Sequence, residues 1–164
     1  MNENKEATTQ EATTNAAQYG YLVSIVENAN GEKWVHVQCA GEDFVVAPHD
    51  LTDANGDIMA DCTQPDLMAR LKELHLDTFN RRQGVVITLL VEEINAALES
   101  IGGEPFARDW YASSELWKPV GSSADINGNR TWYFSGLNGC FNNDLRCNGY
   151  FRCRPVLAFA AFKH

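Results

Sequence analysis

The side chains with most capacity for chemistry fall in one stretch, Ser135 to Cys153. It holds three of the five cysteines together with four Asn, Asp144, two Arg and three aromatic rings. No period of 2 or 3.6 runs through it, so it reads as an irregular surface segment rather than a helix or a strand. Asn and Gly tolerate left-handed backbone, and Phe and Tyr supply contact area at little rotamer cost. That chemistry is recognition. The candidate ligand-binding residues are Asn138, Cys140, Phe141, Asn142, Asn143, Asp144, Arg146, Cys147, Asn148, Tyr150, Phe151 and Cys153.

Other chemistries find less support. The five cysteines, Cys39, Cys62, Cys140, Cys147 and Cys153, are odd in number and lack a repeated two-residue spacing. This argues against a disulfide framework and against zinc. The three late cysteines are contact residues, free thiols or one local disulfide, and the sequence leaves these open. Asp53-Ala-Asn-Gly-Asp57 resembles a calcium loop, but Gly56 comes two positions early and Cys62 stands where the closing Glu belongs, so an Asn-Gly turn is expected. Glu92, Glu93 and Glu99 read as a solvated helix face. No nucleophile elbow, phosphate loop or His-Glu-x-x-His motif occurs, and His36, His49, His75 and His164 form no cluster. No catalytic residue, metal ligand or cofactor is therefore assigned.

A chain of 164 residues with 45% hydrophobic content fits one domain with a real core. The net charge of -9 disfavours nucleic acid and anionic membrane surfaces as partners. Arg130, Arg146, Arg152 and Arg154 make the late region locally basic, a hint of an anionic or aromatic ligand. No apolar run reaches the length of a membrane span, and no signal-peptide pattern follows Met1. Sec export is not expected, while a phage particle or another route to a cell surface stays open. The oligomeric state is not legible.

The elements that must position the segment follow in order. Residues 1–18 are a polar tail, and 19–164 form the domain. Tyr21 to Val26, Lys33 to Cys39 and Asp43 to Ala47 are expected strands, the first two joined by the Asn28-Ala-Asn-Gly31 turn. Thr63 caps a short amphipathic helix running to Leu76, with Pro65 in its first turn. Gln83 to Ile101 carries apolar residues at spacings of three and four and predicts one long helix, stopped by Gly102-Gly103. Trp110 to Glu115 and Arg130 to Phe134 are expected strands separated by a Gly/Ser/Asn-rich loop at 118–129. Arg154 to Phe159 closes the domain, with Pro155 placing that strand's start at a sheet margin.

Three pieces in fixed order carry a family resemblance. They are Glu93-Ile-Asn-Ala-Ala-Leu98 with Ile101-Gly-Gly, then Trp110-Tyr-Ala-Ser-Ser-Glu115, then Trp132-Tyr-Phe before an Asn-rich loop closed by Arg154-Pro-Val-Leu-Ala-Phe159. Together they resemble the C-type-lectin-fold variable proteins of diversity-generating retroelements, found in bacteria and phages. Leu157 stands where that family has Arg, and Trp110-Tyr111 reverses its Tyr-Trp pair. In the family a reverse transcriptase miscopies template adenines, and an AAC codon so diversified cannot become Lys, Glu, Gln, Met or Trp. From Pro119 to Phe162 this chain has no Lys, Glu, Gln or Met, and Trp132 is the sole Trp.

The resemblance implies an α+β, C-type lectin-like fold, two helices packed on a small mostly antiparallel sheet with long irregular loops. It implies a variable region at about 119–159 that binds a protein or glycan, as a receptor or adhesion-type protein does, with Trp110, Trp132, Val156 and Phe159 supplying the packing beneath. The same fold hosts formylglycine-generating copper oxygenases, the alternative reading. These hold copper on two closely spaced cysteines; Cys147 and Cys153 are spaced unsuitably for that pair, and the Arg-Gly-Gly-Ser-Trp run that precedes it is absent.

Overall fold

The computed structural model describes residues 20–117 and 129–163. The expected tail at 1–18, most of the 118–129 loop and the opening of the variable region lie outside them. The described residues form an α+β fold. Its strands are β1 (Tyr21–Glu27), β2 (Lys33–Cys39), β3 (Glu42–Val46), β4 (Trp110–Leu116), β5 (Arg130–Ser135), β6 (Phe141–Leu145), β7 (Phe151–Arg152) and β8 (Val156–Ala158). Its helices are α1 (Gln64–Glu73), α2 (Arg81–Leu89), α3 (Val91–Ser100) and α4 (Phe159–Lys163). Two sheets replace the single sheet expected: β1-β2-β3-β8, wholly antiparallel, and β6-β5-β4-β7, antiparallel except where β4 meets β7.

Local chemistry accounts for the element ends. Asn28 Oδ1 accepts from the N–H groups of Asn30 and Glu32, closing the β1–β2 turn. Thr63 Oγ1 accepts from Asp66 N at 3.3 Å, the cap expected for α1. Asp53 Oδ1 accepts from Asn55 N and Asp57 N, so the calcium-like sequence folds as an Asx turn. Asn80 and Gln83 cap α2 reciprocally.

The long helix expected over 83–101 is broken at Leu90, which leaves helical geometry at φ -115 and ψ 18. Neither Pro nor Gly causes this. Thr88 Oγ1 donates back to Val85 O at 2.8 Å, a bond that weakens a helical ladder. The break serves packing: α2 lies against β3, β4, β5 and β6, whereas α3 lies against β1 and β2.

The main core sits between these layers. Val35, Val37, Phe44 and Val46 from the first sheet meet Val86, Ile87, Leu90, Ile94 and Leu98 from the helices and Phe106, Tyr111 and Phe134 beside the second sheet. A second cluster joins Leu67 and Leu71 of α1 to Leu51, Ala112, Tyr133, Phe151 and Cys153. A third places Phe162 of α4 on Trp34, Val45 and Ala47. Strand side chains alternate between faces, so β3 sends Phe44 and Val46 to one cluster and Val45 to another.

Candidate binding surface

The segment from Ser135 to Cys153 is more ordered than its sequence suggests, because β6 and β7 form within it. Its entry is fixed at Gly136, whose N–H donates to Asp109 O at 2.8 Å and whose Cα lies where any Cβ would overlap the Ala107 carbonyl. Its exit is fixed by Asp50. Arg154 Nε donates to Asp50 Oδ1 at 2.7 Å, Arg152 Nη1 to Oδ2 at 3.2 Å, and the Tyr111 hydroxyl to Oδ2 at 3.0 Å. Arg154 also donates to the carbonyls of Ala47, Glu104 and Pro105. Burial, then the Asp50 carboxylate, pushes the Tyr111 phenol well above its usual pKa.

Between those anchors β5 and β6 pair antiparallel, with Phe134 opposite Phe141, Tyr133 opposite Asn142, Trp132 opposite Asn143 and Thr131 opposite Asp144. The alternation gives the hairpin two faces. Tyr133, Asn142 and Asp144 share one. Trp110 leans on Tyr133 with ring centroids 4.6 Å apart, and Tyr150 meets Trp110 edge-on at 5.7 Å. The Tyr150 hydroxyl donates a short hydrogen bond to Asp144 Oδ2, and Asn148 Nδ2 donates to the Tyr150 oxygen at 3.2 Å. The bond from Tyr150 holds the Asp144 carboxyl below its usual pKa, while burial and that same bond push the Tyr150 phenol up to about 12.

Trp132, Phe141 and Asn143 share the opposite face. Phe141 stacks on Trp132 at 5.2 Å with an interplanar angle of 6°, and Arg130 Nε donates to Asn143 Oδ1 at 2.6 Å.

Most of the expected binding residues come together on this hairpin and the turn after it. Asn138, Cys140, Asn142 and Cys147 are exposed, and Phe141, Asn143, Asp144, Arg146, Asn148 and Tyr150 are half-buried. Two are not on the surface. Phe151 and Cys153 are both 0% exposed in the second core cluster, where β7 pairs with β4. They are removed from the binding set because strand pairing draws them under the loop. Burial pushes the Cys153 thiol up to about 12.

The expected packing residues also need revision. Trp110 is 40% exposed and Trp132 is half-buried, so both rings line the surface while Tyr111 and Tyr133, their sequence neighbours, are buried. Nor do the late arginines form an open basic patch. Arg154 and Arg152 are spent on Asp50 and Asp109, and Arg130 on Asn143 and Asp144. The buried role of Asp50 had no local sequence signal, since its partners lie 61 to 104 positions away.

No helix among the described residues is long and apolar enough to cross a membrane. Comparison with protein families, curated proteins and solved structures finds no match for this chain.

Proposed function

We propose that this chain is a ligand-binding variable protein of the retroelement-diversified, C-type-lectin-fold kind, acting without catalysis. It takes a protein or glycan ligand on the surface built by Asn138 to Tyr150. One observation carries the reading: the side chains of that segment are exposed or half-buried between two fixed ends, with no fully buried residue among them, while the core beneath is made by Phe79, Phe106, Tyr111 and Phe134 from elsewhere. Such a division lets contact side chains change without the fold being lost. The restricted vocabulary from Pro119 to Phe162 agrees with a history of adenine-directed substitution.

The rims and floor suit recognition. A half-exposed Trp beside Tyr150, Asp144, Asn142 and Asn148 combines aromatic area with donors and acceptors, the mixture that concentrates binding energy when a partner excludes water.

Two measurements test the reading. The neighbouring DNA should encode a reverse transcriptase and carry a near-identical template repeat differing mainly at adenines; their absence overturns the retroelement origin. A library randomised at Asn138, Cys140, Asn142 and Cys147 should stay folded and yield binders to more than one target. Ala at those exposed positions should change stability by less than about 0.5 kcal/mol, against about 3 to 5 kcal/mol for Phe134→Ala. Comparable losses at both would defeat the separation of fold from contact.

A further inference from the structure

A cleft of about 410 Å3 opens on the Trp132 side of the second sheet, lined by Arg81, Ser114, Glu115, Leu116 and Trp132. We propose that this cleft is a binding pocket for an aromatic carboxylate. It lies between the start of α2 and strands β4 and β5 and borders the proposed contact surface at the Phe141–Trp132 stack, but its occupancy by a small acid neither requires nor tests the retroelement reading.

The acid is specified by Arg81. Its guanidinium stands 4.9 Å from the Trp132 ring centroid, and among the described residues it makes no ion pair. This is notable in a chain of net charge -9, where the adjacent Arg82 is paired with Glu42 at 3.1 Å. The Glu115 Oε2 accepts from the Arg81 backbone N–H at 2.7 Å and forms no ion pair with its guanidinium. The cation is thus exposed over the Trp132 ring with its charge not offset by an ion pair, and a planar guanidinium matches a carboxylate in a bidentate way.

The flat body is specified by Trp132. Phe141 stacks on the indole and itself packs on Gly84, and the Arg81 guanidinium lies over the ring, so a flat ligand body would pack against Trp132 beside that cation. Leu116 supplies an apolar wall, and the volume falls within the range of small-molecule sites. Glu115 sets polarity within the pocket. One of its oxygens is engaged by the helix backbone, and the other accepts from a ligand donor while repelling a second negative charge. The favoured ligand therefore has one carboxylate at the Arg81 end and a hydroxyl or similar donor at the other. A free hydroxyaryl acid and a peptide ending in tyrosine both present that chemistry.

The test is a titration of the full chain followed by the Trp indole and Arg side-chain N–H signals, assigned with Trp132→Phe and Arg81→Gln. The probes are 4-hydroxyphenylacetate, its amide, phenylacetate and the peptide Gly-Gly-Tyr. Saturable shifts at the Trp132 indole are expected for 4-hydroxyphenylacetate, with the amide binding at least tenfold more weakly. Phenylacetate should fall between them. Arg81→Gln should remove the preference for acid over amide, while Arg82→Gln, which deletes an equal charge next door, should preserve it; far-UV circular dichroism verifies that both fold. Binding of Gly-Gly-Tyr alongside the small acid assigns the pocket to chain ends, and exclusion of the peptide assigns it to free acids. Equal binding of acid and amide, loss of preference in Arg82→Gln, or no shift at Trp132 with any probe overturns the proposal.

Discussion

Arg154 and Asp50 meet through a 2.7 Å hydrogen bond with neither side chain open to water: Arg154 is 0% exposed and Asp50 5%. Through this pair the end of the candidate binding segment is tied to the strand-to-helix connection on the far side of the chain. Tyr111 and Arg152 lean on the same carboxylate, so the anchor is a network rather than an isolated bridge. Burying such a pair gains little over a well-packed apolar one, but leaving one partner behind is costly.

Arg154→Met should therefore lower stability by about 3 to 5 kcal/mol, because Asp50 Oδ1 and three backbone carbonyls lose their donor together. Adding Asp50→Leu should cost less than the sum of the single losses. Urea denaturation of the four proteins gives the comparison. A loss under about 0.5 kcal/mol for Arg154→Met, as at an ordinary surface site, contradicts the anchoring role.

The Tyr150–Asp144 bond gives a pH signature. The folded carboxyl titrates below its unfolded value, so the bond contributes fully above the usual carboxylate range and its contribution disappears as pH falls through the lowered value. Tyr150 titrates above its unfolded value, so its contribution is intact below about pH 10 and is lost as pH rises through about 12. Tyr150→Phe should move the Asp144 carboxyl back toward its ordinary range in a carbon-13 titration. An unchanged Asp144 titration would show that Tyr150 does not hold it.

The thiols separate by position. Cys140 and Cys147 are exposed, whereas Cys153 is buried with its pKa raised to about 12. At pH 8 the native protein should be alkylated quickly at the first two and not at Cys153, since the thiolate is the reactive form. Unfolding in urea should equalise all three by peptide mass mapping. Rapid native labelling of Cys153 is incompatible with its place under the loop.

How far the sequence carries this picture depends on the range of the forces involved. The strands at 21–27, 33–39 and 110–116 and the cap at Thr63 are legible because alternation and capping act within a few residues. The break at Leu90 is not, since Val86, Ile87, Leu90, Ile94 and Leu98 keep one continuous apolar stripe through it and only the two sheets beneath require the bend. β6 escapes a reading of period because its residues 141–145, Phe-Asn-Asn-Asp-Leu, present polar side chains to both faces of a partly exposed edge strand. The aromatic pairs mislead for a related reason: in Trp110-Tyr111 and Trp132-Tyr133-Phe134, adjacent rings point opposite ways, and sequence alone does not say which faces the core. Phe151 and Cys153 accordingly lie in the expected segment but beneath its surface, and the Trp110 and Trp132 rings reach the surface from outside it, because pairing of β7 with β4 decides which side chains are covered.

At Gly84, α2 packs directly on the Phe141 ring of the hairpin. A Cβ at this position would stand 2.6 Å from Phe141 Cε2 and 2.9 Å from Phe79 Cδ2. In an open helix, Gly→Ala is favourable by about 1 kcal/mol. Here Phe79 is fully buried and cannot retreat, while Phe141 is half-exposed and can swing outward. Overpacking of this kind costs about 1 to 3 kcal/mol, so Gly84→Ala should be net destabilising despite the better helix former. The displacement of Phe141 should also release its stack on Trp132 and shift the Trp132 indole N–H signal. Combining Gly84→Ala with Phe141→Ala should recover part of the loss, because one of the two clashes is gone. A double-mutant cycle by urea denaturation measures that coupling. If Gly84→Ala instead raises stability and leaves the Trp132 signal unmoved, the hairpin does not rest on α2 at this glycine.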